Sequence, residues 1–404
     1  MSDRLFTPRF FMMCGFSFTV FLSAFQLFPT APYRVLALGG GQFAAGLVLG
    51  FLTYASAFSA PFTGAVADRV GRRRTLVVAS LVLAAFAFFY ALVTRVELML
   101  VGVIVHGVFW SALLSASAAY VTDFMPEHRR AEGISYWGMA STLSVALAPG
   151  LGLWLFDRGW LWVCGSIGVL NLGMAAIAWR LPDDRSEHPD RHRPDLREIM
   201  AHGVVDWRVT LLALTLFLYC FGYGGVTSFV ALYTEASGIA PRALFFAVFS
   251  VTIICTRPFS GRLADRVGHV RVFVPCIALA VLGYSLLAIG GSRAMFVAAA
   301  VVFGVGFGSA YPIFAAYVIQ HVGASRRASA FGSILAALDT GIGTGSIALG
   351  WVIQHFGFHV AYALGAVLAA LAIPYFLAAR PLFARMVDAG RSTPRDLVGG
   401  PAGR

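Results

Sequence analysis

The chain has 404 residues, of which 59% are hydrophobic, 43 are glycine and only 12% are charged. A soluble domain carries about 25% charged residues, so the composition excludes a water-soluble protein built around one core. The formal net charge is +11 and every basic residue is arginine. A chain without lysine cannot contain the G-x-x-x-x-G-K-[ST] loop of an ATP-driven pump.

Long charge-free stretches follow one another along the chain. A membrane helix needs about 20 apolar residues, and residues 10–33, 75–94 and 133–156 contain no Asp, Glu, Lys or Arg. Lipid offers no partner to unpaired backbone groups, which favours helices throughout. The pattern predicts an all-α membrane protein with twelve transmembrane helices, near 10–29, 42–63, 75–94, 98–122, 133–156, 160–180, 209–234, 243–260, 272–290, 294–318, 328–351 and 358–379. The first of them is expected to be retained, because no A-x-A-like signal-peptidase site follows it.

The arginines indicate how the helices are oriented. Both termini and the loops after even-numbered helices carry most of them, whereas the loops on the other side carry only Arg34, Arg95, Arg158, Arg242 and Arg293. By the positive-inside rule, both termini and the 181–207 connection are predicted to be cytoplasmic, with the protein in the plasma (inner) membrane. This placement explains the positive charge, so nucleic-acid binding is not expected.

A segment between helices 2 and 3 recurs in the second half of the chain. APFTGAVADRVGRRRTL (60–76) and RPFSGRLADRVGHVRVF (257–273) share nine of 17 residues at an offset of 197, and AYV at 119–121 recurs at 316–318. The repeat predicts two six-helix bundles, 1–180 and 208–380, with a polar cytoplasmic linker at 181–207 and a disordered cytoplasmic tail at 381–404. Parallel repeats of this kind build transporters with a binding site near mid-membrane between the halves.

From about residue 8 to 380 the sequence resembles the major facilitator superfamily, and most closely its drug and metabolite:proton antiporters. The resemblance implies that the duplicated motif latches the cytoplasmic side in the outward-open state, with Asp123 as partner of an arginine in the first copy. The second copy has His269 and Val270 in place of Arg72 and Arg73, and Gln320 in place of Asp123, which predicts a weaker latch. The motif residues are Gly64, Asp68, Arg69, Gly71, Arg72, Arg73 and Arg74, then Gly261, Asp265, Arg266, Gly268 and Arg271.

Two patterns of the proton antiporters are degenerate in this chain. Their helix 5 carries Gly-Pro-x-x-Gly-Gly, of which residues 148–153 (APGLGL) retain Pro149 and Gly152. Their helix 4 often carries an arginine, and Val103 stands at that position here, followed by His106. Proton coupling through that arginine is therefore in doubt.

Charged residues inside the predicted helices are restricted to Asp339 and Arg257. Asp339 follows Arg327 by 12 residues, about 18 Å of helix, and a carboxylate at mid-membrane costs roughly 2.5–3.5 kcal/mol. It is interpreted as a proton-coupling group or, alternatively, as a neutral structural residue. Arg257 could pair with Asp339, bind an anionic substrate or snorkel toward the cytoplasm. His106 is the third proton-coupling candidate, with plain packing as its alternative.

In the family resembled, helices 1, 4, 7 and 10 line the substrate cavity. Apolar area with a few hydrogen-bonding groups and little fixed charge suits a neutral or weakly cationic amphipathic molecule. Each lining candidate could instead pack against protein or face lipid. The candidates are Gln26, Trp110, Ser111, Tyr219, Tyr223, Thr227, Ser228, Tyr311 and Tyr317.

These features predict a secondary active transporter that works by alternating access, most consistently a proton-coupled monomeric exporter of small amphipathic molecules. An importer or facilitator of sugars or organic acids and a non-transporting membrane sensor are the alternatives. Asp339-Thr340-Gly341 is also the tripeptide of an aspartic protease, but no other helix interior supplies a second carboxylate, so no enzyme is expected. The five cysteines lack metal-ligand spacing, and neither a metal nor another cofactor is expected.

Helix 11 carries small side chains around Asp339. They predict close approach of a neighbouring helix, and the resemblance places helix 11 at the seam between the halves. The stripe comprises Gly332, Ala336, Gly343, Ser346 and Gly350, with Gly341 and Gly345 beside it.

Overall fold

The computed structural model describes residues 5–126, 129–183, 206–323 and 326–391, and every regular element in these ranges is an α-helix. The last helical segment, Arg327–Arg391, is broken at Gly357, whose φ of 84° and ψ of 174° are not helical, into α11 (327–356) and α12 (358–391). The preceding helices are α1 (Pro8–Ala37), α2 (Gln42–Val70), α3 (Arg72–Leu92), α4 (Val96–Phe124), α5 (Arg130–Phe156), α6 (Trp160–Arg180), α7 (Trp207–Ala236), α8 (Leu244–Val267), α9 (His269–Ile289) and α10 (Arg293–His321).

The described helices supply the twelve crossings that the sequence predicts. Ten helical segments are long and apolar enough to span a membrane. α8 adds another span, although it bends by 47° between Arg257 and Phe259. The last segment holds two spans because the break at Gly357 lies within it. The prediction of an all-α membrane protein is confirmed.

Several helices extend beyond the predicted apolar stretches. α1 continues past Pro29 to Ala37, where the Arg34 guanidinium donates to the Val93 carbonyl at 2.7 Å. α12 continues past residue 380, so the expectation of disorder from 381 is wrong as far as Arg391. The cause is packing, because Phe383 is fully buried in the C-terminal core. Most of the predicted linker (184–205) and the end of the predicted tail (392–404) lie outside the described residues.

The helices form two bundles, each with its own hydrophobic core. In the first bundle α1 packs on α5 and α6, α2 packs on α4, and α3 packs on α4 and α6. In the second bundle α9 packs on α10, α8 packs on α10, and α7 packs on the segment that contains α11 and α12. One core consists mainly of residues between 5 and 181, and the other mainly of residues between 209 and 383.

α11 joins the two bundles through its small side chains. A Cβ added at Gly345 would overlap the Phe221 carbonyl oxygen of α7, and one at Gly341 would lie 2.7 Å from the Phe217 carbonyl oxygen. Another face of α11 lies equally close to α2, where a Cβ at Gly350 would lie 2.6 Å from the Gln42 carbonyl oxygen. The small residues therefore bring α11 into backbone contact with one helix of each bundle.

Replacing Gly345 by alanine should force α11 away from α7. We expect Gly345→Ala to lower the free energy of unfolding by about 1–3 kcal/mol, as overpacking does, in thermal unfolding of the purified protein in detergent. Gly173→Ala in α6 is the matched control, since a Cβ there meets nothing within 4 Å. That variant should be unchanged or stabilised by up to about 1 kcal/mol. Equal stability of Gly345→Ala and the parent protein would contradict the close contact.

Candidate functional site

The two ends of the helical bundle differ in charge. We call the end that holds the turns at Gly71 and Gly268 the arginine-rich end, and the end that holds the turn at Gly39 and the break at Gly357 the arginine-poor end. The sequence predicts that the arginine-rich end is cytoplasmic. The candidate site lies between these ends, along the seam where the two bundles meet.

Polar contacts join the two bundles between mid-membrane and the arginine-poor end. Near mid-membrane, the Tyr54 hydroxyl of α2 shares a hydrogen bond of 2.6 Å with the Thr344 hydroxyl of α11. One half-turn further, the Ser346 hydroxyl donates to the Gly46 carbonyl at 3.0 Å and lies 2.8 Å from the Ser228 hydroxyl. These three hydroxyl contacts tie α2, α7 and α11 together.

At the arginine-poor end, an ion pair closes the seam. The Arg242 guanidinium, which precedes α8, lies 3.0 Å from the Asp157 carboxylate at the end of α5 and 3.3 Å from the Glu235 carboxylate. It also lies over the Tyr33 ring, 5.1 Å from the centroid. A second contact joins α2 and α11, where the Phe43 amide donates to the Gln354 side-chain oxygen at 3.0 Å.

The same helices diverge toward the arginine-rich end. α5 and α8 touch where the Ser250 hydroxyl donates to the Ala146 carbonyl, but a Cβ at Gly138 of α5 or at Gly261 of α8 would meet nothing within 4 Å. On α2, Phe58 is 71% exposed. The seam is therefore a cleft that opens toward the arginine-rich end.

Two intramembrane charges, Arg257 and Asp339, lie at about the same depth in this cleft as Tyr311. Arg257, Tyr311 and Asp339 stand 10, 10 and 12 residues from the arginine-rich ends of α8, α10 and α11, about 15–18 Å along each helix. Tyr311 interacts electrostatically with both charges. Asp339 is four residues before Gly343 of the sealed contact, about 6 Å toward the open end.

Neither charge is neutralised by the protein. Within the described residues, the side chains of Asp339 and Arg257 form no hydrogen bond and no ion pair, and they do not pair with each other. Both side chains are partly exposed. The arrangement can bind a proton or a cationic group at the Asp339 carboxylate and an anionic group at the Arg257 guanidinium. Of the three alternatives for Arg257, pairing with Asp339 is not observed.

Aromatic rings from α7 and α10 stack on one another inside the second bundle. The Tyr223 ring stacks on Phe307 at 3.9 Å between centroids, and the Tyr219 ring stacks on the same Phe307 at 5.3 Å. Tyr219 is buried, and its hydroxyl has no hydrogen-bond partner among the described residues. Thr227 is buried one turn beyond Tyr223. In the other bundle, Trp110 packs edge-on against Phe21.

Other predicted site residues are engaged elsewhere. The Gln26 side-chain oxygen accepts a hydrogen bond from Ser166 of α6 at 3.0 Å, inside the first bundle. The Ser111 hydroxyl lies 3.1 Å from the Thr63 hydroxyl. His106 is buried against α3, with its Nδ1 atom 3.1 Å from the Tyr90 hydroxyl.

Two further predictions are placed away from the Asp339 cluster. Tyr317 lies near the arginine-rich surface, where its ring packs on His321 at 4.5 Å. In α5, a Cβ at Gly152 would lie 2.7 Å from the Gln26 carbonyl oxygen, so the remnant of the helix 5 motif around Pro149 serves the close packing of α5 on α1. Asp339 and Arg257 therefore share Tyr311 as an electrostatic neighbour. Tyr219 and Tyr223 stack on Phe307 inside the second bundle, and the other predicted residues have different partners.

The first copy of the duplicated motif forms a buried charged cluster, which we call the Arg72 cluster. The Arg72 guanidinium, 9% exposed, binds the Asp68 carboxylate at 3.0 Å, the Asp123 carboxylate and, at 2.7 Å, the Ala119 carbonyl. Gly71 has a φ of 103°, which only glycine adopts readily, and sets the turn into α3.

The neighbouring motif arginines play different parts. Arg73 donates to the Trp179 carbonyl at 2.5 Å and lies over the Trp179 ring, so it ties α3 to α6. Arg69 and Arg74 are both exposed. Gly64 lies in α2 facing α4, with Ser115 4.0 Å from an added Cβ.

The second copy keeps the turn but not the buried cluster. Gly268 has a φ of 100°, close to that of Gly71. The nearest equivalent of the Arg72 cluster is a contact of 3.8 Å between His269 and Asp265, whose side chain is 75% exposed. Arg266 and Arg271 are exposed. The second bundle also has a contact of 3.8 Å at this end, between Arg326 and Asp206. The shorter ion pairs described at the arginine-rich end lie in the first bundle.

Sequence reasoning missed the residues that seal the cleft. Tyr54 and Thr344 carry no motif, and the pairing of Arg242 with Asp157 joins loops that are far apart in the chain. Asn171 in α6 was detectable as an amide in an apolar helix, and it donates to the Ser23 hydroxyl at 3.0 Å. Among the described residues, no group of three or more His, Cys, Asp or Glu could hold a metal ion.

The fold and the duplicated motif are those of a membrane transporter made of two six-helix bundles. The sequence profile of the Major Facilitator Superfamily matches residues 10–248 and 242–399. The chain belongs to this family, whose members are transporters and not enzymes.

Relatives are similar over most of their length. The chain is 29% identical over 330 residues to an uncharacterised MFS-type transporter of Pseudomonas aeruginosa (strain LESB58), covering 80% of each chain. It is 22% identical over 345 residues to the staphylopine export protein of Staphylococcus aureus (strain Mu50), covering 82% of this chain and 86% of the relative.

Solved transporters share the fold at low sequence identity. The nucleoside transporter NupG superposes with a TM-score of 0.73 at 16% identity, covering 93% of this chain and 99% of NupG. A peptide transporter in complex with sulfate gives a TM-score of 0.73 at 14% identity, covering 93% of this chain and 95% of the other. At these identities the likeness concerns the fold alone, and membership of the drug and metabolite:proton antiporter group stays a prediction.

Removing the central arginine of the Arg72 cluster should destabilise the first bundle. In Arg72→Gln the Asp68 and Asp123 carboxylates lose their shared cation, and we expect a loss of about 3 kcal/mol in the free energy of unfolding, as for other broken buried ion pairs. Thermal unfolding in detergent measures it. The exposed Arg74→Gln variant is the control and should shift stability by less than about 0.5 kcal/mol. A result for Arg72→Gln as small as the control would refute a stabilising cluster.

Proposed function

We propose that this transporter is a proton-coupled exporter of small amphipathic molecules that works by alternating access. The observation that carries the proposal is the Asp339 carboxylate, which has no hydrogen-bond or ion-pair partner among the described residues. It lies about 6 Å along α11 from Gly343, where an added Cβ would lie 3.3 Å from the Gly50 carbonyl oxygen of α2. A group in that position can exchange protons with the open side. When the seal moves past it, the same group would face the other side.

The composition of the cleft supports the substrate class. Tyr223 and Phe307 offer stacked aromatic area, and Arg257 is the cation near Asp339 in the described cleft. Such a wall suits an amphipathic molecule with a ring or chain and one or two polar groups. The 22% identity to a staphylopine export protein supports export as the direction.

We propose further that the arginine-rich end faces the cytoplasm, so that the cleft is open inward and the substrate enters from inside. The support is the positive-inside rule applied to the turns and termini. In this orientation the Arg242 to Asp157 ion pair is the external seal, and it must break when the transporter opens outward.

Neutralising the cleft carboxylate should uncouple transport from the proton gradient. The substrate is first identified by thermal stabilisation of the purified protein, and its accumulation is then measured in everted vesicles with an acidic lumen. Asp339→Asn should abolish the accumulation driven by the pH gradient while substrate exchange without a gradient persists, because a neutral amide cannot release a proton. Glu132→Gln, an exposed carboxylate paired with Arg129 at 2.9 Å, is the control and should transport normally.

Two outcomes of this experiment would count against the proposal. Gradient-driven flux that is intact in Asp339→Asn would remove the carboxylate from coupling. Accumulation in right-side-out cells, with none in everted vesicles, would favour an importer. Arg257→Gln, assayed in parallel, should weaken binding only of substrates that carry an anionic group, because the guanidinium is their counter-charge.

Reporter fusions test the orientation. Alkaline phosphatase is active only outside the cytoplasm, so a fusion after Gly291, in the turn between α9 and α10, should be active. A fusion after Gly268, in the turn between α8 and α9, should be inactive. The opposite pattern would invert the proposed topology and, with it, the direction in which the cleft opens.

A further inference from the structure

The two copies of the duplicated motif differ in what fills the space behind the turn. In the first bundle the Arg72 guanidinium occupies that space and contacts Asp68, Asp123 and the Ala119 carbonyl. In the second copy, 197 residues later, His269 occupies the position of Arg72 and Gln320 occupies the position of Asp123. The second bundle has thus lost both the cation and one of the anions of the cluster.

A cavity of about 510 Å³ lies behind the second turn. It is bounded by the turn between α8 and α9, by the end of α10 and by α12. This volume is within the range of small-molecule sites. The polar side chains that line it are His269, Arg271, Tyr317, Gln320, His321 and Arg380.

The lining of this cavity is basic and incompletely paired. Arg271 and Arg380 are exposed, and neither forms an ion pair or a hydrogen bond with any described residue. The Asp265 carboxylate contacts His269 at 3.8 Å, but its side chain is 75% exposed and is not part of the lining. The replacement of an aspartate by Gln320 leaves two guanidinium groups facing a cavity without a carboxylate in its lining.

We propose that this cavity, which we call the α9–α12 pocket, binds a phosphate-bearing anion. Two planar guanidinium groups can each donate two parallel hydrogen bonds to phosphate oxygens, and the Gln320 amide supplies a further donor. The pocket lies at the ends of membrane-spanning helices, so both a lipid headgroup and a soluble phosphate compound present the same chemistry there. The site is separate from the Asp339 cleft and does not depend on the transported substrate.

Binding is tested with the purified full-length protein and defined probes. Dioleoyl phosphatidylglycerol is compared with dioleoylglycerol, and glycerol 3-phosphate is compared with glycerol, by thermal unfolding and by native mass spectrometry. The phosphate-bearing member of at least one pair should bind and stabilise the protein, and its phosphate-free partner should not. Binding of the lipid alone identifies a headgroup site, whereas binding of glycerol 3-phosphate identifies a soluble ligand.

Three variants locate the binding. Arg271→Gln combined with Arg380→Gln should weaken binding of the phosphate compound about tenfold or more, because the double variant loses charge-assisted hydrogen bonds. Arg74→Gln combined with Arg262→Gln removes the same charge from the same end of the bundle outside the pocket, and should bind like the parent protein. His269→Arg combined with Gln320→Asp leaves the formal net charge unchanged and restores the pairing of the first bundle. The restored cluster should fill the α9–α12 pocket and abolish binding of the phosphate compound.

The proposal is overturned if neither phosphate compound binds to the parent protein. It is equally overturned if the Arg271 and Arg380 double variant, shown to be folded by its unfolding transition without ligand, binds as the parent does. Undiminished binding to the His269→Arg, Gln320→Asp variant would also contradict it, because the cluster that this variant restores leaves no room for the anion.

Discussion

Backbone contact between α11 and its two neighbours is the constraint on which the rest of the structure depends. A helix can approach both α2 and α7 only where its side chains are no larger than a hydroxyl, as at Gly343, Gly345 and Ser346. A hydrocarbon environment gives helices little reason to associate apart from such packing and hydrogen bonding. The position of the seal therefore follows from where α11 contacts the backbone of α2, at Gly343, Ser346 and Gly350.

The duplicated halves have diverged in their use of charge. The first bundle keeps its ionic contacts at the arginine-rich end, around Arg72. The second bundle keeps its charges at mid-membrane, where Thr142 and Ala60 are the repeat equivalents of Asp339 and Arg257. Thr142 satisfies its own hydroxyl by donating to the Gly138 carbonyl at 2.9 Å, so it leaves no polar group available. The two halves therefore differ in which of them carries charge at mid-membrane.

The sequence predicts most of this fold and only part of the site. Charge-free stretches and the repeat predict the helices and their order, because the length of a span and the absence of charged residues within it can both be read along the chain. The ion pair of Asp123 with the motif also follows from the resemblance. The direction in which a side chain points around its helix does not follow from the sequence. For this reason the predicted site residues His106 and Gln26 are found against neighbouring helices of the first bundle. The contacts that close the seam join residues without any local pattern.

The break at Gly357 has a mechanical consequence. α11 and α12 are separated by this single residue, so the last turn of one and the first turn of the other stay within about 7 Å of each other. Every other pair of successive helices across the arginine-poor end has a longer connection among the described residues. A displacement at the end of α11 must therefore be followed by the start of α12, whereas the glycine between them allows the angle between the two helices to change. Movement of the buried seal is in this way transmitted to the first turn of α12.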